Sequence, residues 1–134
     1  MSPSNLEALA QGFAGWGKGE PANMADLLDP DCELVVPDSI PYGGTFRGAE
    51  AAINWFTVEL WRWFEEFAST PEGFVEGGDQ IVVPVNVKAG AKNGRTMDVH
   101  NVWIYTFSAG RLVRGQVYAD TAVLRDVVEG VDPS

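Results

Sequence analysis

Residues 96–107 alternate with a period of two, and this run constrains the fold more than any other feature of the chain. Met97, Val99, Asn101, Trp103, Tyr105 and Phe107 form one row; Asp98, His100, Val102, Ile104 and Thr106 form the other. Such alternation fits a strand with one face buried. The first row is heavier and more aromatic, so it is assigned to the concave interior, with Asn101 as its polar exception. Upstream the period is helical. Leu6, Leu9, Phe13 and Trp16 follow at steps of three, four and three, behind the capping box Ser4-Asn5-Leu6-Glu7. Helical periodicity first and strand periodicity afterwards predict an α+β fold rather than alternating βαβ units.

The remaining elements follow from local signals. A first helix ends near Lys18-Gly19, and a second, opened by Pro21, ends near Leu28, where Asp29-Pro30-Asp31 breaks it. Residues 32–36 read as a short strand and 37–48 as a loop with two prolines and three glycines. A third helix is expected over 49–64, with Ala52, Ile53, Phe56, Leu60, Trp63 and Phe64 on one apolar stripe and Trp55 beside it. Strands follow over 67–76 (interrupted near Thr70-Pro71), 80–88, 96–107 and 112–119. Asn93-Gly94 and residues 108–111 are the turns, and Pro84 marks an edge or a bulge. Asp120 or Thr121 opens a short C-terminal helix running to about Val128. The architecture expected is a cone-shaped, curved antiparallel sheet wrapped on three N-terminal helices, with an apolar pocket inside.

Composition limits the function classes. With 134 residues the chain is expected to be one domain, 1–134. Its net charge of −10 argues against nucleic acid and anionic membrane surfaces as partners. A single cysteine, Cys32, excludes an internal disulfide and a thiolate metal cluster, and a single histidine, His100, excludes a multi-histidine metal centre. No basic segment or long apolar run opens the chain and nothing reaches transmembrane length, so the expected compartment is the cytoplasm. Seven Phe, five Trp and three Tyr are many rings for this size, enough to line a cavity as well as fill a core. Trp16, Tyr42, Trp55, Phe56, Trp63 and Trp103 are the candidate lining.

Each polar candidate has two readings. Asp120 is an N-cap or a carboxylate at the cone's mouth. Asp38, between Pro37 and Ser39, is a turn residue or a buried base. Asn101 and Asn86 are satisfied amides or ligand contacts. His100 faces outward unless a bulge reverses the row. Val102 and Ile104, beside it, are too apolar for free solvent and suggest a homodimer through the sheet. In the last strand Arg114, Gln116, Tyr118 and Asp120 form one row and Val113, Gly115, Val117 and Ala119 the other, and either row could face the interior.

The chain resembles the nuclear-transport-factor-two-like superfamily and its SnoaL-like, ketosteroid-isomerase-related branch. The matching residues are Pro41-Tyr42-Gly43-Gly44-Thr45-Phe46-Arg47-Gly48, Gly78-Asp79, Asn93-Gly94, Phe107-Ser108-Ala109-Gly110-Arg111-Leu112 and Tyr118-Ala119-Asp120. The resemblance implies the cone fold, also called a cystatin-like roll, over nearly the whole chain. It sets Asp38 about where ketosteroid isomerases carry their base, but puts Trp103 where they carry a protonated aspartate, and the first helix holds no tyrosine. Against limonene-epoxide hydrolases, Pro84 falls on the arginine and Asn86 on one aspartate, leaving Asp120. Against SnoaL-type polyketide cyclases, Asp120 falls on the acid/base and is tilted inward. The resemblance thus implies a cofactor-free, metal-free domain that binds an apolar small molecule. Asp120 or Asp38 would act as acid/base in isomerase, cyclase, dehydratase or hydrolase chemistry, and Tyr42, Trp55, Asn86, Asn101, Trp103, Tyr118 and Trp16 would contact the substrate. The alternative is a non-catalytic binding or dimeric interaction domain.

Overall fold

The computed structural model describes residues 4–17 and 26–133, with the side chains of 14–17 outside that description. Helix α1 (Asn5–Gly17) starts where the capping signal places it, the Glu7 amide donating to Ser4 Oγ at 3.2 Å. Leu9 is fully buried, and Leu6 and Phe13 pack against the core beside it. The expected second helix falls mostly on residues outside the description, and Leu28 already belongs to a strand.

Strand β1 (Leu28–Val36) begins earlier than expected. Asp29-Pro30-Asp31 does not end the element. The pairing register shifts between Leu28 and Glu33, and the Asp31 amide turns onto Asp29 Oδ1 at 2.9 Å, so the proline sits in an irregular stretch that needs no ladder donor. The loop that follows contains a strand missed by sequence, β2 (Gly44–Arg47), antiparallel to β1.

Helix α2 (Ala49–Asn54) is continued by a π-helical turn (Trp55–Glu59) and a 3-10 turn (Leu60–Arg62). It stops short of the expected end because Phe64 opens β3 (Phe64–Pro71), where it pairs with Ala91. The rest is a meander: β4 (Val75–Gly77), β5 (Gln80–Ala91), β6 (Thr96–Ser108) and β7 (Arg111–Tyr118), then helix α3 (Thr121–Val127). The last hairpin turns through Ala109 and Gly110, both at positive φ (51° and 79°), which matches the twist of a tight hairpin.

The seven strands form one curved, unclosed sheet in the order β2-β1-β7-β6-β5-β3, with β4 on β5 beyond the end of β3. It is not wholly antiparallel, because β1 joins β7 in parallel. Pro84 lies in an interior strand rather than at an edge. Its carbonyl accepts the Glu72 amide at 2.8 Å, so its missing N–H faces the gap between β3 and β4. Val83, Val85 and Val87 of β5 and Asn101, Trp103, Tyr105 and Phe107 of β6 are buried on the concave face. Helix α1 packs on β3 and α2 on β1. Among the described residues no helix is long and apolar enough to cross a membrane.

Candidate ligand-binding site

The concave face of the sheet, with α1, α2 and α3 around it, holds two adjoining cavities of about 70 and 60 Å³. Phe13, Cys32, Ile53, Tyr105 and Gly115 border the first; Ile40, Tyr42, Asn101, Val117 and Leu124 border the second. Phe56, Ser69 and Trp103 border both. Phe56 projects from the π-helical turn and meets the Trp103 ring at 6.0 Å between centroids. Trp103 in turn stacks on Tyr105 at 5.5 Å and 11°. Gly115 on the next strand gives this stack room, since a Cβ there would lie 3.3 Å from the Tyr105 ring, which would have to shift by a few tenths of an ångström.

The first cavity is almost wholly apolar. Its Cys32 thiol is held protonated: burial raises its pKa, and Asp29 and then Asp31 add to the rise against an opposing backbone hydrogen bond. The second cavity has a polar end. Asn101 is 6% exposed, and its Oδ1 has no hydrogen-bond partner among the described residues. The Tyr42 hydroxyl at the same cavity is also buried without one, and burial pushes its pKa far above the ordinary tyrosine value. A buried acceptor left unmatched costs about 1–3 kcal/mol. Such groups mark a place where a donor is expected from elsewhere. Tyr42 is held in place through its backbone, its carbonyl accepting the Trp55 indole N–H at 2.7 Å.

The structure therefore gathers Tyr42, Trp55, Asn101 and Trp103 around the second cavity. Trp16 has a side chain outside the description. Three other candidates lie on the convex face or the surface. Asn86 donates to Asp98 Oδ1 at 2.7 Å and to the Val99 carbonyl at 3.2 Å. His100 Nδ1 lies 2.8 Å from Glu72 Oε1. Tyr118 is 52% exposed, because β7 turns its smaller row, Gly115 and Val117, inward. Asp120 is exposed and accepts the Val123 amide at 3.3 Å as N-cap of α3. Asp38 is exposed on its turn. Neither carboxylate borders the second cavity, although Pro37 and Ala119, the residues just before them, do.

Sequence reasoning missed Ser69, Ile40 and Cys32. Ser69 shares strand parity with the partly buried Phe67 within the expected strand 67–76, and that parity is the signal that could have found it. Ile40 lies in a turn, where no period exists to read. Among the described residues no group of three or more His, Cys, Asp or Glu side chains is placed to hold a metal ion.

Residues 9–115 match the family model of the SnoaL-like domain. The uncharacterized protein Rv0034 of Mycobacterium tuberculosis (strain ATCC 25618 / H37Rv) is 27% identical over 131 residues, covering 89% of this chain and 92% of that one. An NTF2-like protein of unknown function from Burkholderia pseudomallei K96243 superposes with a TM-score of 0.88 at 25% identity, over 96% of this chain and all of that one (100%). TerC, co-crystallized with polyporic acid, superposes with a TM-score of 0.85 at 23% identity, over 94% of this chain and 98% of the other, a likeness of fold. The match over most of its length and the curved sheet with its helices agree: the chain belongs to the SnoaL-like domain family, within the NTF2-like superfamily.

Proposed function

We propose that the domain binds a small, largely apolar organic molecule in the hollow under the sheet, with one hydroxyl or N–H group of that molecule donating to Asn101 Oδ1. The observation that carries this is the unmatched acceptor of a buried amide at the wall of a ring-lined cavity. The Tyr42 hydroxyl can give or take a second hydrogen bond there. Apolar walls with a few polar groups at one end are the usual make-up of a small-molecule site. TerC, of like fold, was crystallized with an organic acid. Native mass spectrometry of the purified protein tests the reading. A co-purified molecule, or an added aromatic alcohol, is expected to be retained by the wild type and lost from Asn101→Leu. Equal retention by both would contradict it.

A second, catalytic reading rests on Asp120 and Asp38. Each follows a residue that borders the second cavity, Ala119 and Pro37, so a group of the ligand emerging there would have a carboxylate nearby to take or deliver a proton. Isomerase, cyclase, dehydratase and hydrolase chemistry all need such a group. Asp120→Asn tests this without disturbing the helix, because Asn caps as well as Asp. Turnover of an identified substrate should fall at least a hundredfold with binding kept; unchanged turnover removes Asp120 from the chemistry. We propose further that the convex face is a homodimer interface, since Val102 and Ile104 stand half-buried there beside the exposed Tyr118. Ile104→Lys should then halve the sedimenting mass.

A further inference from the structure

Two buried polar groups at the second cavity are complementary and yet unpaired. The Tyr42 hydroxyl and Asn101 Oδ1 each lack a hydrogen-bond partner among the described residues, so they do not bond each other either. Both residues are more than nine-tenths buried, and both border that cavity. They come from separate supports. Asn101 stands within β6, in register with Val85 of β5. Tyr42 stands on the turn between β1 and β2, its carbonyl bound to the Trp55 indole and its ring edge-on to Phe64 at 5.5 Å and 84°. A group placed between the two would complete both bonds.

The proton count gives the direction of each bond. A carboxamide oxygen only accepts, so the bridging group must donate to Asn101. Burial raises the pKa of Tyr42 far above the ordinary value, so its hydroxyl keeps its proton and can give it to the bridging group. A hydroxyl does both with one atom. A carbonyl or ether oxygen takes the proton of Tyr42 but leaves Asn101 unmatched. Water makes both bonds too, so a ligand must reproduce both to displace it. We infer that Tyr42 and Asn101 read a ligand hydroxyl from two sides, Tyr42 donating to its oxygen and Asn101 accepting its proton, and that this pair selects alcohols and phenols over the matching ethers and ketones. This rests on the binding role proposed above and adds Tyr42 as the second residue that decides specificity.

Isothermal titration of the full chain with phenol, anisole and ethylbenzene tests it. Anisole keeps the acceptor oxygen and loses the donor; ethylbenzene matches anisole in shape and loses both. Wild type is expected to bind phenol about tenfold more tightly than anisole, and anisole about tenfold more tightly than ethylbenzene, since each step leaves one more buried polar group unmatched. Asn101→Leu should erase the first gap and keep the second. Tyr42→Phe, which keeps the ring, should erase the second gap and keep the first. A phenol preference that depends on Asn101, with all three affinities unmoved by Tyr42→Phe, would overturn the two-sided reading and leave the binding role standing. Equal loss of all three affinities in Tyr42→Phe would make Tyr42 a packing residue and overturn it as well. A phenol preference that survives Asn101→Leu would be one of size and would remove the Asn101 side of the reading. No binding of any of the three by the wild type or a folded variant would overturn both the reading and the binding role.

Discussion

At the scale of single residues, Asn101 and Asp120 each separate a structural role from a functional one. If Asn101 were a satisfied core amide, Asn101→Leu would cost hydrogen bonds. Because its Oδ1 is buried without a partner among the described residues, the substitution is expected to leave the free protein as stable, or up to about 1–3 kcal/mol more stable. Urea unfolding measures this, and a loss above about 1 kcal/mol would return Asn101 to the core. Asp120 shows the opposite pattern. Its carboxylate caps α3, so Asp120→Ala should lower stability by about 1 kcal/mol and Asp120→Asn by almost nothing. Equal stability of all three in the same assay would show that the cap contributes nothing. The sequence made the inward place of Asn101 legible because it shares a strict row with Trp103 and Tyr105. It could not show which row of β7 faces inward, because the register shift between Thr106 and Phe107 is a property of the paired strands, not of either alone.

At the scale of elements, the turn between β1 and β2 shapes the mouth of the second cavity. Pro37, Ile40 and Tyr42 all border that cavity. The Ile40 amide donates to the Pro37 carbonyl at 3.4 Å and the Gly43 amide to the Ile40 carbonyl at 3.0 Å, so the turn doubles back on itself. A Cβ at Gly43 would fall 1.8 Å from the Pro37 carbonyl oxygen, a backbone atom that cannot swing aside. Gly43→Ala is expected to destabilise the protein by about 1–3 kcal/mol and weaken ligand binding through displaced Tyr42. A melting temperature within a degree of wild type would show that the turn adapts freely. Legibility varied between elements for the same kind of reason. The β5–β6–β7 meander was readable because long alternating runs and Gly turns act locally. The strand β2 and the parallel β1–β7 pair were not, since four residues carry no period and a parallel partner far along the chain leaves no local mark. The end of α2 was misplaced because Phe64 fits a helical stripe and a strand face equally well.

At the scale of the whole molecule, the aromatic interior couples stability to alkaline pH. Burial raises the pKa of Tyr105, and likewise that of Tyr42, well above the ordinary tyrosine range near 10. Below that pH both tyrosines are neutral in the folded and unfolded chain, and stability does not depend on them. Above it the unfolded chain releases their protons while the folded one keeps them, so stability falls as pH rises, by about 1.4 kcal/mol per pH unit for each tyrosine. Unfolding curves between pH 9 and about 11.5 should show this slope, and Tyr42→Phe with Tyr105→Phe should flatten it. An unchanged slope in the double variant would mean the two hydroxyls ionise in place. The same interior carries the central claim, that the space under the sheet is there to hold a molecule. A crystal structure grown with 2-naphthol tests this most directly. The ring should lie under the sheet against Trp103, and its hydroxyl should be in hydrogen-bond distance of Asn101 Oδ1. A naphthol found only on the outer surface, with both cavities unchanged, would contradict it.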